Sequence, residues 1–127
     1  MDQKSNSLNW FEIPATDLDR AIAFYQAVFQ IEIPAPMDMG GSRMAMLASG
    51  EDKVGGALVQ GEYHTPSTTG AWVYLNANPS LQAVLDRVEA AGGQIVIPAM
   101  EISPEWGYYA AMIDSEGNQL GLHANKL

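Results

Sequence analysis

From residue 9 onward the apolar and polar positions change rhythm. NWFEIP, residues 9–14, is an apolar run of strand length that contains one acid, Glu12, and ends at Pro14, which has no N–H to give to a ladder. Leu18, Ala21, Ile22, Tyr25, Val28 and Phe29 then recur at the three- and four-residue spacing of one helix face, with Thr16 as N-cap and Asp19 as an acid in the first turn. This spacing predicts an amphipathic helix over about residues 17–29. IEIP (31–34), PMDMG and SRMAML on either side of Gly40-Gly41, and VGGALVQ (54–60) read as short strands. The first half has the order βαβββ.

GEYHTPSTTG, residues 61–70, has the Gly, Pro, Ser and Thr of a linker and no apolar period. Beyond it the order returns. AWVYLNA is a strand, Asn78-Pro79 a cap and first helical residue, and Leu81, Val84, Leu85, Val88 and Ala91 a stripe closed by Gly92-Gly93, which predicts a helix over 79–91. QIVIP, YYAAMID and NQLGLH follow as strands, the last two joined by Ser115-Glu116-Gly117, and a further strand is expected to be short or irregular. Leu18, Ile22 and Tyr25 have counterparts in Leu81, Leu85 and Val88, 63 residues on, and Ile33-Pro34 has one in Ile97-Pro98, 64 residues on. A duplicated module accounts for that constancy.

The expectation is one α+β domain, residues 8–126, built from two βαβββ modules (8–62 and 69–125) joined by the linker 61–70. A sheet with one helix leaves its other face bare, so the modules are expected to form an eight-stranded cup with the helices outside. A ligand would sit inside it.

Composition narrows the partners. Fifteen acids against six bases give a formal charge of −9, which repels nucleic acid and anionic membrane. The chain has no cysteine, so disulfides and thiolate metal sites are excluded, and no run approaches membrane-spanning length. A cytoplasmic protein with a small-molecule ligand, and no nucleic-acid or membrane partner, is the expectation. No P-loop, G-x-S-x-G or H-E-x-x-H motif is present, and GGALVQG lacks the strand-to-helix setting of a dinucleotide fingerprint.

FEIPATDLDRAIAFYQAVF, LQAVLDRVEAAGG and WGYYAAMIDSEGNQLGLH, together with the repeat, resemble the vicinal oxygen chelate superfamily of glyoxalase I, extradiol dioxygenases and bleomycin or fosfomycin resistance proteins. Asp114, Gly117 and Asn118 match its D-x-x-G-N turn, which speaks for fold rather than reaction. The resemblance implies a divalent metal held by His, Glu or Gln from the first and last strand of each module. Carried onto this chain, those positions fall near Trp10, near Gly56 or Leu58, near Trp72 and near Gly121, none of which offers a suitable donor. The expected reading is therefore no metal and no cofactor; the alternative is one divalent metal at a displaced site using Glu12 and His123. The resemblance also implies a homodimer.

Strand parity puts Glu12 on the face of Trp10, Tyr74 on that of Trp72, and His123 on that of Gly121. Trp10, Glu12, Trp72, Tyr74, Met112 and His123 are the candidate ligand-binding residues, with Glu12 and His123 as candidate catalytic groups. Two functions compete. One is a metal-independent protein binding a small, largely apolar or aromatic molecule; the other is a lyase, isomerase or dioxygenase-like enzyme using Glu12 as proton acceptor. A structural Glu12, a rim His123 and a merely solvated linker residue His64 are the plain alternatives. Met37, Met39, Met44 and Met46 read as hairpin packing or as an adaptable wall.

Overall fold

The computed structural model describes residues 1–48 and 50–127. The chain runs β1 (Trp10–Pro14), α1 (Leu18–Phe29), β2 (Met37–Asp38), β3 (Ser42–Ala48), β4 (Gly55–Gly61), β5 (Tyr74–Asn76), α2 (Leu81–Val88), β6 (Gln94–Ser103), β7 (Gly107–Ile113) and β8 (Gln119–Ala124). It is an α+β protein of two βαβββ modules. The strands make two four-stranded sheets, β1-β4-β3-β2 and β5-β8-β7-β6, and in each the first strand runs parallel to the last. A parallel neighbour cannot be reached by a tight turn, so the helix and the intervening strands of each module supply the crossover.

Alternation along the strands gives each sheet one face under its helix and one open face. Ile13, Ala45 and Leu58 pack with Leu18, Ala21, Phe24, Tyr25 and Val28 of α1, while Leu75, Ala110, Met112, Leu120 and Leu122 pack with Leu81, Val84, Leu85 and Val88 of α2. All belong to one core, and the two helices touch within it; Arg87 Nε donates to the Val28 carbonyl at 2.8 Å.

Several local expectations are corrected. IEIP is not a strand: its last residue Pro34, and Pro36 two residues on, have no N–H donors, and the Ile33 N–H turns back to Gln26 Oε1 at 3.0 Å. The N-cap of α1 is Asp17, whose carboxylate accepts from Arg20 N, rather than Thr16. In the second module Ser80, rather than Asn78, caps α2, which is shorter at both ends than 79–91. QIVIP extends through Pro98 into the ten-residue β6, which tolerates a proline because it is an edge strand with register shifts against β7.

The D-x-x-G-N turn joins the modules. Asp114 Oδ1 accepts from the N–H groups of Glu116 and Asn118 at 2.9 and 3.0 Å, and Oδ2 accepts from the Tyr25 hydroxyl at 2.7 Å. Burial, and then the neighbouring Asp114 carboxylate, push the Tyr25 phenol well above its ordinary value, so it stays a donor. Asn118 Nδ2 donates to the Pro14 carbonyl at 2.7 Å, fastening the end of β1 to the start of β8. Glu116 reaches the N-terminus of α1, where it accepts from Thr16 N and Asp17 N at 3.0 and 2.8 Å and pairs with Arg20 through two nitrogens. The sequence showed Ser115-Glu116-Gly117 only as a turn; its acid is a buried inter-module clamp.

Candidate functional site

The open face of the second sheet holds a hollow of about 630 Å³, lined by Tyr74, Leu75, Asn76, Asn78, Ile102, Trp106, Tyr109 and His123. Tyr74 and Asn76 reach it because they alternate with the buried Leu75 in β5, and His123 because it is the register partner of both Asn76 and Tyr109. Trp106 comes from the β6–β7 turn, 64% exposed, and His123 Nε2 lies 2.6 Å from its carbonyl oxygen. One end of the hollow is thus polar and the rest is aromatic and aliphatic.

Only Tyr74 and His123 of the expected ligand-binding residues line this hollow. Trp72 precedes β5 and lies beside Tyr74, ring centroids 6.0 Å apart. Met112 is corrected: its register partner is Leu120, so it points toward α2 and is fully buried in the core. Trp106, Tyr109, Ile102 and Asn76 were missed, because the turn that carries Trp106 and the register of β6 are not visible in local periodicity.

Glu12 has a different setting. It shares the open face of the first sheet with Trp10, as parity predicts, and its Oε2 accepts from Trp10 Nε1 at 3.3 Å. Its Oε1 lies 2.7 Å from His64 Nε2, with the two side chains 32% and 24% exposed. His64, expected as a solvated loop residue, is therefore the partner of Glu12 and ties the segment after β4 to β1. A short bridge between Gly61 and His64 holds the histidine in place. Among the described residues its Nδ1 is buried without a hydrogen-bond partner. Glu12 and His123 share no hydrogen bond among the described residues; each is engaged elsewhere. Glu12 also borders a crevice of about 210 Å³ where the modules meet, beside Thr65, Ser67 and Asn118.

Tyr74 stands opposite Gly121 as Glu12 stands opposite Ala57, so Ala57 is the first-module counterpart of Gly121. Gly56 and Leu58 are corrected as candidates: they lie opposite Phe11 and Ile13, on the face toward α1, and the Phe11 ring fills the space over Gly56. At Gly121 even a Cβ would collide with the Tyr74 ring. Indoles, an alanine and a glycine supply no metal-binding electron pair, so these residues do not fit the ion. Among the described residues, no group of three or more His, Asp or Glu is placed to hold one.

A family model described as the Glyoxalase/Bleomycin resistance protein/Dioxygenase superfamily matches residues 7–122. The chain belongs to this superfamily. It is 28% identical over 114 residues to "Putative glyoxylase CFP32" of Mycobacterium bovis, covering 90% of this chain and 42% of that relative, so it spans less than half the length of that protein. A glyoxylase-like domain-containing protein of Didymella fabae is 27% identical over 113 residues, 87% of this chain and 88% of the relative. Among solved structures, a glyoxalase/bleomycin resistance protein from Streptomyces superposes with a TM-score of 0.69 at 22% identity, over 92% of this chain and 99% of that one. A glyoxalase I mutant from Zea mays gives 0.69 at 19% identity, over 91% and 45%. At these identities the structural likeness is one of fold.

Proposed function

We propose that this superfamily member binds a small, largely apolar or aromatic molecule in the hollow of its second sheet, without the metal of metal-dependent relatives. The observation that carries this reading is the wall of Trp106, Tyr74, Tyr109 and Ile102 around about 630 Å³, a volume suited to one small planar molecule. Trp106 supplies the largest removable surface. Trp106→Ala is expected to weaken binding of a planar bicyclic aromatic about tenfold, the loss of one stacking partner. Calorimetric titration measures this, and unchanged affinity would remove the hollow as the binding place.

The second reading, a lyase- or isomerase-type enzyme using Glu12, draws on the Glu12–His64 contact at 2.7 Å. Binding is preferred because both oxygens of Glu12 are already engaged and it lies outside the aromatic hollow. The proposal includes a cytoplasmic location, in keeping with a chain that lacks cysteine; among the described residues no helix is long and apolar enough to cross a membrane. It also includes a homodimer. Trp10, Met37, Trp72, Tyr74 and Met100 are all more than a third exposed on or beside the sheets, apolar surface that a second copy would cover. Sedimentation velocity is expected to give twice the 13.7 kDa chain mass, and a monomer at micromolar concentration would remove that part.

A further inference from the structure

The polar end of the hollow can be assigned atom by atom. The Trp106 carbonyl can only accept, so the His123 Nε2 that meets it at 2.6 Å carries a proton. In the neutral ring Nδ1 is then an acceptor, and among the described residues it has no protein partner. Asn76 is fixed in the same way. The backbone N–H of Asn78 can only donate, so the Asn76 atom it meets at 2.9 Å is Oδ1, which also accepts from Asn78 Nδ2 at 2.9 Å. The amide nitrogen of Asn76 therefore keeps both of its N–H groups available. Asn78 is itself held by the Asn125 N–H, which donates to its Oδ1 at 2.8 Å.

Asn76 and His123 are register partners on the neighbouring strands β5 and β8, and both line the hollow. An acceptor and a donor thus stand side by side, one strand spacing of ~5 Å apart at the backbone. We propose that the hollow selects a planar aromatic molecule that carries a hydrogen-bond donor and an acceptor next to each other on one edge, as a cyclic lactam does. The ligand N–H donates to His123 Nδ1, its carbonyl accepts from Asn76 Nδ2, and its ring lies among Trp106, Tyr74 and Tyr109. A ligand without the donor leaves a desolvated Nδ1 unpaired, and a site built to hydrogen-bond a group rejects the analogue that lacks it. This assignment rests on the aromatic-binding reading above and names the chemical class that the same hollow takes.

Calorimetric titration of the intact protein with 2-quinolone, 1-methyl-2-quinolone and quinoline tests it. The first has the adjacent N–H and carbonyl; the other two lack the donor. 2-Quinolone is expected to bind at least tenfold more tightly than either. Asn76→Asp retains an oxygen for the Asn78 N–H but removes the donor, and His123→Phe retains a ring but removes the acceptor. His123→Phe is expected to bring the 2-quinolone and 1-methyl-2-quinolone affinities within about threefold, and Asn76→Asp to weaken both of these carbonyl ligands relative to quinoline, with near-UV circular dichroism verifying the fold. Equal affinities in the unsubstituted protein would overturn the two-point edge while leaving aromatic binding intact. A preference that survives both substitutions would also overturn it. Binding of none of the probes would overturn this assignment and the reading beneath it together.

Discussion

Glu116→Ala lowers the stability of the folded chain by about 2–4 kcal/mol, measured as a shift of the urea midpoint at neutral pH. The loss comes from the side of the interaction that water cannot repair. The Glu116 side chain is fully buried and accepts from Thr16 N and Asp17 N just ahead of α1, so its removal leaves these two N–H groups without their carboxylate. Arg20 is half exposed and can turn to solvent. Burial pushes the Glu116 carboxyl up, but the Arg20 and Ser115 side chains, the Asp17 N–H and the Arg20 charge outweigh it and hold the group below its ordinary 4.5. With the folded value below the unfolded one, the stabilisation is fully present above about 4.5 and is lost as pH falls through the folded value. Glu116→Gln should remove that part of the acid dependence while keeping an oxygen for the Thr16 and Asp17 N–H groups. A midpoint unchanged by Glu116→Ala would show that the inter-module clamp contributes nothing.

Gly107→Ala separates β7 from β8, at a cost of about 3 kcal/mol or more. Gly107 has φ of 83°, and a Cβ there would lie 2.9 Å from the Asn125 Cα and closer still to the Ala124 carbonyl oxygen. Both neighbours are backbone, so neither can swing aside. Gly117→Ala is the control: its φ is 95°, but a Cβ would meet nothing within 4 Å, so only the conformational penalty remains, about 1–2 kcal/mol. Comparison of the two urea midpoints separates collision from strain. Equal losses would mean that the close approach at Gly107 carries no weight. Gly107 also follows Trp106, so Gly107→Ala should change the near-UV tryptophan signal, whereas Gly117→Ala should not.

The sequence by itself determined the two modules, their order and the apolar stripe of each helix, because these follow from periodicity within a few turns of chain. Leu18, Ala21, Tyr25 and Val28 lie buried where the helical spacing puts them, as do Leu81, Val84, Leu85 and Val88. Parity within one strand was equally legible: Glu12 does share a face with Trp10. The tertiary structure alone decided which distant residues complete each group. His64 meets Glu12 across 52 residues, Glu116 meets the start of α1 across about 100, and Trp106 meets His123 through a turn whose path depends on the shifted register of β6. Met112 shows the same limit in the other direction. Its place in the chain allowed either face of β7, and the pairing with Leu120 put it in the core. A slip of one residue in register exchanges the two faces of a strand, and register is set by the whole sheet packing against its helix; local sequence therefore fixes the elements and their periodicity, while the assembled sheets fix which side chains share a site.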